Sequence, residues 1–343
     1  MKNLKTLFLL FPLLGSACSS GPKAEEYFSA YKTVGEGFSA VKAFSVSSSS
    51  ASVHVEFVDD DGADLKVNND STPFAFTISV DDIAAKGFDD ASISFKMAES
   101  TSARNKIKFE GAYLKKLSGI AISSGSFGCS IDSYLTGGNA YLDFKQSGTI
   151  RSLLSSLLKQ EDYPGLPGNK VKMTLDDDAK KKVDEYLPIT QYVEDLTSSR
   201  YDLFVDLYVT YPEGFSFLAE EKTKTISFSC ADKAKAKSIV KSLVKDEDAF
   251  AKLDDAFEYA SRLSLEYSVS FDASHLLTSS FAVTLGGFDK AAIKKDNPKL
   301  ELFPTGEWHL GAKLDYAYPE GKATSFPDFS DYKEYELKKT EGK

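Results

Sequence analysis

The nucleophiles and soft metal ligands of this chain are few: three cysteines and three histidines in 343 residues. Cys18 stands apart from the rest. It follows a stretch in which Lys2 and Lys5 precede the apolar run Leu7 to Leu14 and the small residues Gly15, Ser16 and Ala17. A basic start, a short apolar run and small residues before a cut are the parts of an export signal, and the run is too short to span a bilayer as a helix. Residues 1–17 are therefore read as a removable signal, and the mature chain as extracytoplasmic. Cys129 and Cys230 fall on the apolar parity of alternating segments, beside Phe127 and Ile131 in one case and Phe228 in the other. Two readings stay open for them: buried free thiols, or a disulfide, which an extracytoplasmic compartment permits. His54 and His309 sit on the polar side of their strands and His275 at a strand start, which makes all three surface histidines.

The acidic run Asp59-Asp60-Asp61-Gly62-Ala63-Asp64 lacks the alternate-ligand spacing and terminal Glu of a calcium loop, so a solvated turn is expected. Asp176-Asp177-Asp178 reads as charge at a helix start. No HExxH, GxSxG, phosphate-loop or paired-cysteine metal motif is present, so no metal and no cofactor is expected and the chain is not read as an enzyme. Loss of Lys2 and Lys5 with the signal makes the mature chain two units more acidic than the full chain's net −10. Arginine occurs only at 104, 151, 200 and 262, with no basic stripe interleaved with aromatics, which excludes a nucleic-acid partner.

Leu14-Gly15-Ser16-Ala17-Cys18-Ser19-Ser20-Gly21 resembles the lipobox of bacterial lipoproteins, in which the cysteine after the cut is diacylglycerated and becomes the new N-terminus. That family usually carries Leu three places before the cysteine, where this chain has Gly15. The alternative is a plain secretory cut after Ala17. The resemblance implies a membrane anchor at Cys18 and a tether over residues 18–23, and two acyl chains on one residue suffice for stable anchoring.

The body of the chain, 24–343, is 42% hydrophobic and 13% aromatic overall, enough for a large core. Tyr27, Tyr31, Val34, Phe38 and Val41 recur at helical steps over 24–44, weakened by Gly35 and Gly37. After the serine run 45–52 the period changes to two. Strands are expected at Val53–Phe57, Phe74–Val80, Ile93–Met97, Ile107–Phe109 and Phe127–Ile131, with a hairpin from Tyr134 to Phe144 around Gly137-Gly138-Asn139. Ile150, Leu153, Leu154, Leu157 and Leu158 then mark a helix, and 176–186 a second. Strands resume at Leu203–Val209, Phe215–Phe217 and Ile226–Cys230; helices follow at 234–244 and 249–262. The chain closes with strands at Leu265–Phe271, Phe281–Leu285 and Trp308–Tyr316. A weak internal echo links VHVEFVD and STPFAFTISVD in the first half to YSVSFD and TSSFAVTLGGFD in the second.

Nearly every strand places large apolar residues on one side and Ser, Thr, Asp or Lys on the other, so one face of the sheet is expected to be wet. A sheet of about a dozen strands curls. The expected fold is α+β: a large curled antiparallel sheet, a half-barrel, with about five helices on its concave face, in one domain. The leading helix, the hairpin Tyr134 to Phe144 and the leucine-rich helix after it resemble the bacterial LolA/LolB and LppX/LprG group of lipoprotein and lipid carriers. That resemblance implies a hydrophobic ligand, and the large apolar side chains on one sheet face make Phe76, Ile78, Phe95, Phe109 and Trp308 the expected lining residues. The competing expectation is an interaction or scaffold lipoprotein whose helices fill the face. Protein partners are not legible.

Overall fold

The computed structural model describes residues 24–37, 41–69, 76–81, 92–97, 107–118, 123–147, 170–174, 201–202, 204–243 and 257–335, with the single positions 177, 180, 181 and 254. The signal, Cys18 and its tether, and the leucine-rich segment 150–158 lie outside them. So does most of 176–186. Among the described residues no helix is long and apolar enough to cross a membrane.

Helix α1 (Ala24–Gly37) starts on Glu25 and Glu26, whose charges suit the positive end of a helix. Its Tyr27, Phe28, Tyr31 and Val34 are buried along one side. It stops at Gly37, well before the expected limit near residue 44, because strand β1 (Ala43–Val58) already begins there. The serine run is thus part of a strand. Phe44 and Val46 pair with Val80 and Ile78, which pins this end of β1 into the sheet.

The other strands are β2 (Asp64–Asn69), β3 (Phe76–Asp81), β4 (Ser92–Met97), β5 (Ile107–Glu110), β6 (Ser124–Thr136), β7 (Asn139–Ser147) and β8 (Lys170–Met173) in the first half. In the second half come β9 (Phe215–Glu220), β10 (Thr223–Cys230), β11 (Ala260–Phe271), β12 (Leu276–Phe288), β13 (Phe303–Ala317) and β14 (Lys333–Tyr335). They form one sheet in the order β14-β8-β7-β6-β4-β3-β1-β13-β12-β11-β10-β9. Every pairing is antiparallel except β14 with β8. The chain begins in the middle, works outward to β8, starts again at the far edge with β9, and works back until β13 closes on β1. Between β1 and β6 the sheet is doubled: β1 is paired by β3 at residues 43–47 and by β2 at 54–58, and β6 is paired by β4 and β5 in the same manner. With β3 on β4 and β2 on β5, these are two interrupted long strands. The expected hairpin is present as β6 and β7, and Gly137 and Gly138 take the positive φ values, 55° and 70°, that its two-residue turn requires.

Residues directly opposite each other in a sheet share a face, and the registers carry one apolar face across it. Phe228 lies opposite Tyr267, Tyr267 opposite Phe281, Phe281 opposite Ala312 and Ala312 opposite Ala51. Beyond β1, Val46 meets Ile78 and Ile78 meets Phe95. Among the described residues helices cover this face at two places. Over β9 to β12 lie α1, helix α3 (204–210) and helix α4 (Lys233–Leu243), which bury Ile226, Phe228, Leu263, Val269 and Phe271. Over β2 and β5 lies the short helix α2 (Ala112–Ser118), whose Tyr113 and Leu114 pack on Leu65, Phe57 and Phe109. Helix α5 (Lys290–Asp296), capped by Asp289, sits at the rim between β12 and β13. The architecture is the curled α+β sheet expected, with β9 and β14 as unclosed edges among the described residues.

Two segments differ from expectation. Residues 204–210 are helical rather than a strand, because Phe204 and Leu207 also fit a helical step and find the sheet beneath them, leaving Val209 52% exposed. The helix expected over 249–262 gives way to β11 at Ala260, since Leu263 and Leu265 pair with Leu285 and Val283.

The opposite face is only partly wet. Over β10 to β12 it carries hydroxyl pairs, Thr225 to Ser270 at 2.8 Å and Ser227 to Ser268 at 3.0 Å. Over β3 to β7, however, the chain beyond β13 crosses it as a strap. The Asp81 carboxylate accepts the N–H groups of Ala323 and Thr324 and the Thr324 hydroxyl. Phe326 and Phe329 pack on Tyr134, and β14 then pairs with β8, tied by Lys172 to Glu334 at 2.9 Å. Ser79, Ser94 and Asp143 are buried on this face.

Candidate ligand-binding face

Among the described residues the helical cover stops at β12. Val283 and Leu285 still pack in the α4 cluster, but Phe281, one step along the same face, is 41% exposed and Leu310 of β13 is 51% exposed. Leu310 lies opposite both Val283 and Val53, and Phe281 opposite Ala312, which lies opposite Ala51. These six residues form an apolar floor over the middle of β12, β13 and β1, with Phe281 and Leu310 as its exposed side chains. Side chains of this size contribute on the order of 1.5–3 kcal/mol each when fully buried, so the floor holds unrealised burial that an apolar partner would recover.

The two ends of the floor differ, and one of them is walled. At one end Trp308 stands between Phe57 and Phe288, each ring 5.0 Å away, with its Nε1 donating to the Glu56 carbonyl at 2.8 Å. At the other the Ser279 and Tyr316 hydroxyls hydrogen-bond at 2.9 Å. Of the lining residues expected, Trp308 is therefore a wall fixed by its neighbours, and Phe109 is packed under α2. Ile78 and Phe95 pair with each other, half-buried, on the same face beyond β1, and Ile78 packs with Phe44 and Val80. Phe76 is on β3 opposite Met97. Phe281 and Leu310, the residues that make the floor, were missed: strand parity puts them on the apolar face but does not tell which part of that face the helices leave open.

The acidic turn is a latch rather than a solvated loop. Asp59 is buried, its Oδ2 accepting from Lys116 Nζ of α2 at 2.8 Å and its Oδ1 from the Ala63 N–H at 2.7 Å. Lys116 also reaches Asp61 at 2.9 Å, Lys290 donates to the Asp59 carbonyl at 2.6 Å, and Lys294 meets Asp60 at 2.7 Å. The Lys116 ammonium holds the Asp59 carboxyl below its ordinary range against the opposing effect of burial. Three lysines thus tie the β1–β2 turn to α2 and α5. Among the described residues no group of three metal-ligating side chains comes together.

His54 and His309 face each other across β1 and β13 on the polar face, but each ring is occupied by its own neighbour: His54 Nε2 lies 3.1 Å from Glu56 Oε1 and His309 Nδ1 3.1 Å from Thr284 Oγ1. The disulfide reading is corrected. Cys230 is a free buried thiol at the end of β10, donating to the Asp232 carbonyl at 3.6 Å. Six strands separate β10 from β6, which carries Cys129, where a disulfide needs Cα atoms within about 7 Å.

No protein-family model matches the chain, and no curated protein does. Among solved structures it is similar to the crystal structure of LprF from Mycobacterium bovis, at 8% identity and a TM-score of 0.24, over 89% of this chain and 99% of that one. Superposition at that level carries no inference about ligand or activity.

Proposed function

We propose that this chain is an extracytoplasmic lipoprotein, anchored through Cys18, that binds the acyl part of a lipid or similar hydrophobic ligand on its apolar sheet face. It is a binding protein in this reading, not an enzyme. The observation that carries it is the exposure of Phe281 and Leu310 in the middle of a face whose flanks are covered by helices. Aliphatic and aromatic side chains in line, walled at one end by Trp308, suit an elongated apolar ligand. The anchor rests on the residues around Cys18. A scaffold lipoprotein with a filled core is the competing reading, and it gives these two side chains no task.

The test is uptake. Mature protein stripped of lipid should take up a fluorescent acyl probe with saturable enhancement, and native mass spectrometry of unstripped protein should show adducts of lipid mass. Burial of an acyl chain contributes about 0.8 kcal/mol per methylene, so a chain with ten or more buried methylenes survives gentle purification. A bare polypeptide mass together with no uptake ends the carrier reading and leaves the scaffold.

A further inference from the structure

A cleft of about 400 Å³ opens where the end of α1, the first residues of β1, the β11–β12 turn and the chain past β13 meet. Its lining includes Thr33, Lys42, Ala43, Ser274, His275 and Pro319. Ala43, His275 and Pro319 lie at one shared end of β1, β12 and β13, the three strands whose middles carry the apolar floor. The floor and the cleft thus lie along the same three strands, with the Ser279 and Tyr316 hydroxyls between them.

The chemistry of the cleft differs from that of the floor. Lys42 is exposed and has no carboxylate partner among the described residues, in a protein whose net charge is strongly negative. Ser274 presents a hydroxyl, and the His275 ring is held against Tyr318, centroids 4.4 Å apart, while the Tyr318 hydroxyl donates to the Leu276 carbonyl. The nearest acid, Asp272, is engaged in holding the turn: its Oδ1 accepts the N–H groups of Ser274 at 2.7 Å and His275 at 2.6 Å, and the His275 ring nitrogen Nδ1 lies 3.8 Å from it. Glu36, on the last turn of α1, pairs with Lys32. Thr33 already donates its hydroxyl proton to the Ser29 carbonyl. The donors left for a ligand are the Lys42 ammonium, the Ser274 hydroxyl and the His275 ring.

We infer that this cleft receives the anionic head group, a carboxylate or a phosphate, of an acyl amphiphile whose chain lies on the floor. The inference rests on the proposed function and adds the polar end of the ligand. An ammonium and a hydroxyl lining one cleft favour an oxyanion over a neutral ester or alcohol, since hydrogen bonds to a charged acceptor are about twice as strong.

Titration of the stripped mature protein with cis-parinaric acid and with its methyl ester, at neutral pH and low salt, tests this. The acid should bind at least tenfold more tightly than the ester. Lys42→Gln combined with His275→Gln should bring the acid down to the ester's affinity. Displacement of the acid by phosphatidic acid more readily than by oleic acid supports the inference and identifies a phosphate head; the reverse order supports it and identifies a carboxylate. Equal, tight binding of acid and ester by the wild type overturns the head-group site while the apolar reading stands. Uptake of neither probe overturns both. A variant that melts earlier yet keeps the preference for the acid also overturns the site, because Lys42 then serves only the end of α1.

Discussion

Phe329 lies flat on Tyr141, ring centroids 3.7 Å apart and planes 13° from parallel. Tyr141 points to the face of β7 away from the helices, so this stack is what fixes the strap across the back of the sheet. Tyr332 closes edge-on against both rings, at 5.5 Å from Tyr141 and 5.3 Å from Phe329. Phe329→Ala should free the strap at the cost of about 2 kcal/mol, below the 3–5 kcal/mol of a fully buried phenylalanine because Phe329 is half-buried. Limited trypsin digestion reads this as rapid cleavage after Lys322 and Lys333 in the variant and slow cleavage in the wild type.

The Asp59 latch gives the fold an acid limit. Its carboxyl is held below its ordinary value of 3.8 chiefly by the hydrogen bond from Lys116, so the stabilisation is present above that value and is lost as pH falls through the lower folded one. Lys116 in turn is pushed up by Asp59 and Asp61, a contribution present throughout neutral pH and lost only in strong base. Lys116→Met should lower the melting temperature at pH 7 and flatten its fall below pH 5, because the contribution that acid removes is then already gone. A melting profile from pH 3 to 8 unchanged by the substitution would contradict the latch.

Gly111 is required by its backbone. At φ +138° it occupies a region that side-chain-bearing residues rarely enter, and an added Cβ would meet the Asp64 carbonyl oxygen at 2.1 Å. Beside it the Asp64 Oδ1 accepts the Ala112 N–H at 3.0 Å, which satisfies the first orphan donor of α2. Gly111→Ala should therefore cost at least about 2 kcal/mol, seen as a lower urea midpoint, by displacing α2 from Leu65.

Leu310→Asp separates binding from folding. Because Leu310 is 51% exposed, the change should alter stability by no more than about 1 kcal/mol while placing a charge in the centre of the floor. Uptake of the acyl probe should fall at least tenfold, with an unchanged circular dichroism spectrum.

Strand periodicity made most of the sheet legible, since β10 to β13 alternate cleanly and the glycine pair at 137–138 marks its turn. The run 203–209 misleads because Leu, Phe and Val at successive positions satisfy both periods, and packing against Phe271 and Val269 decides for the helix. The strap was invisible for a different reason: Phe326, Phe329 and Tyr332 follow no period, and their partners Tyr134 and Tyr141 sit on the side that alternation assigns to water. Among the lining candidates, Ile78 and Phe95 share the face as expected. That Trp308 is a wall follows from Phe57 and Phe288, neighbours that only the folded chain supplies.

The seam between β1 and β13 joins Ser45 to Ala317 and Val58 to Phe303, positions almost a whole chain apart. Until β13 is in place, β1 presents a long unpaired edge, and the links that α1, the α5 lysines and the strap make between the two half-sheets depend on the same closure. Such distant contacts carry a large loop-closure cost and make folding slow. A second molecule's β13 can pair with the same edge, so high protein concentration should favour exchanged dimers, and severing the chain between β8 and β9 should leave two fragments able to complement each other.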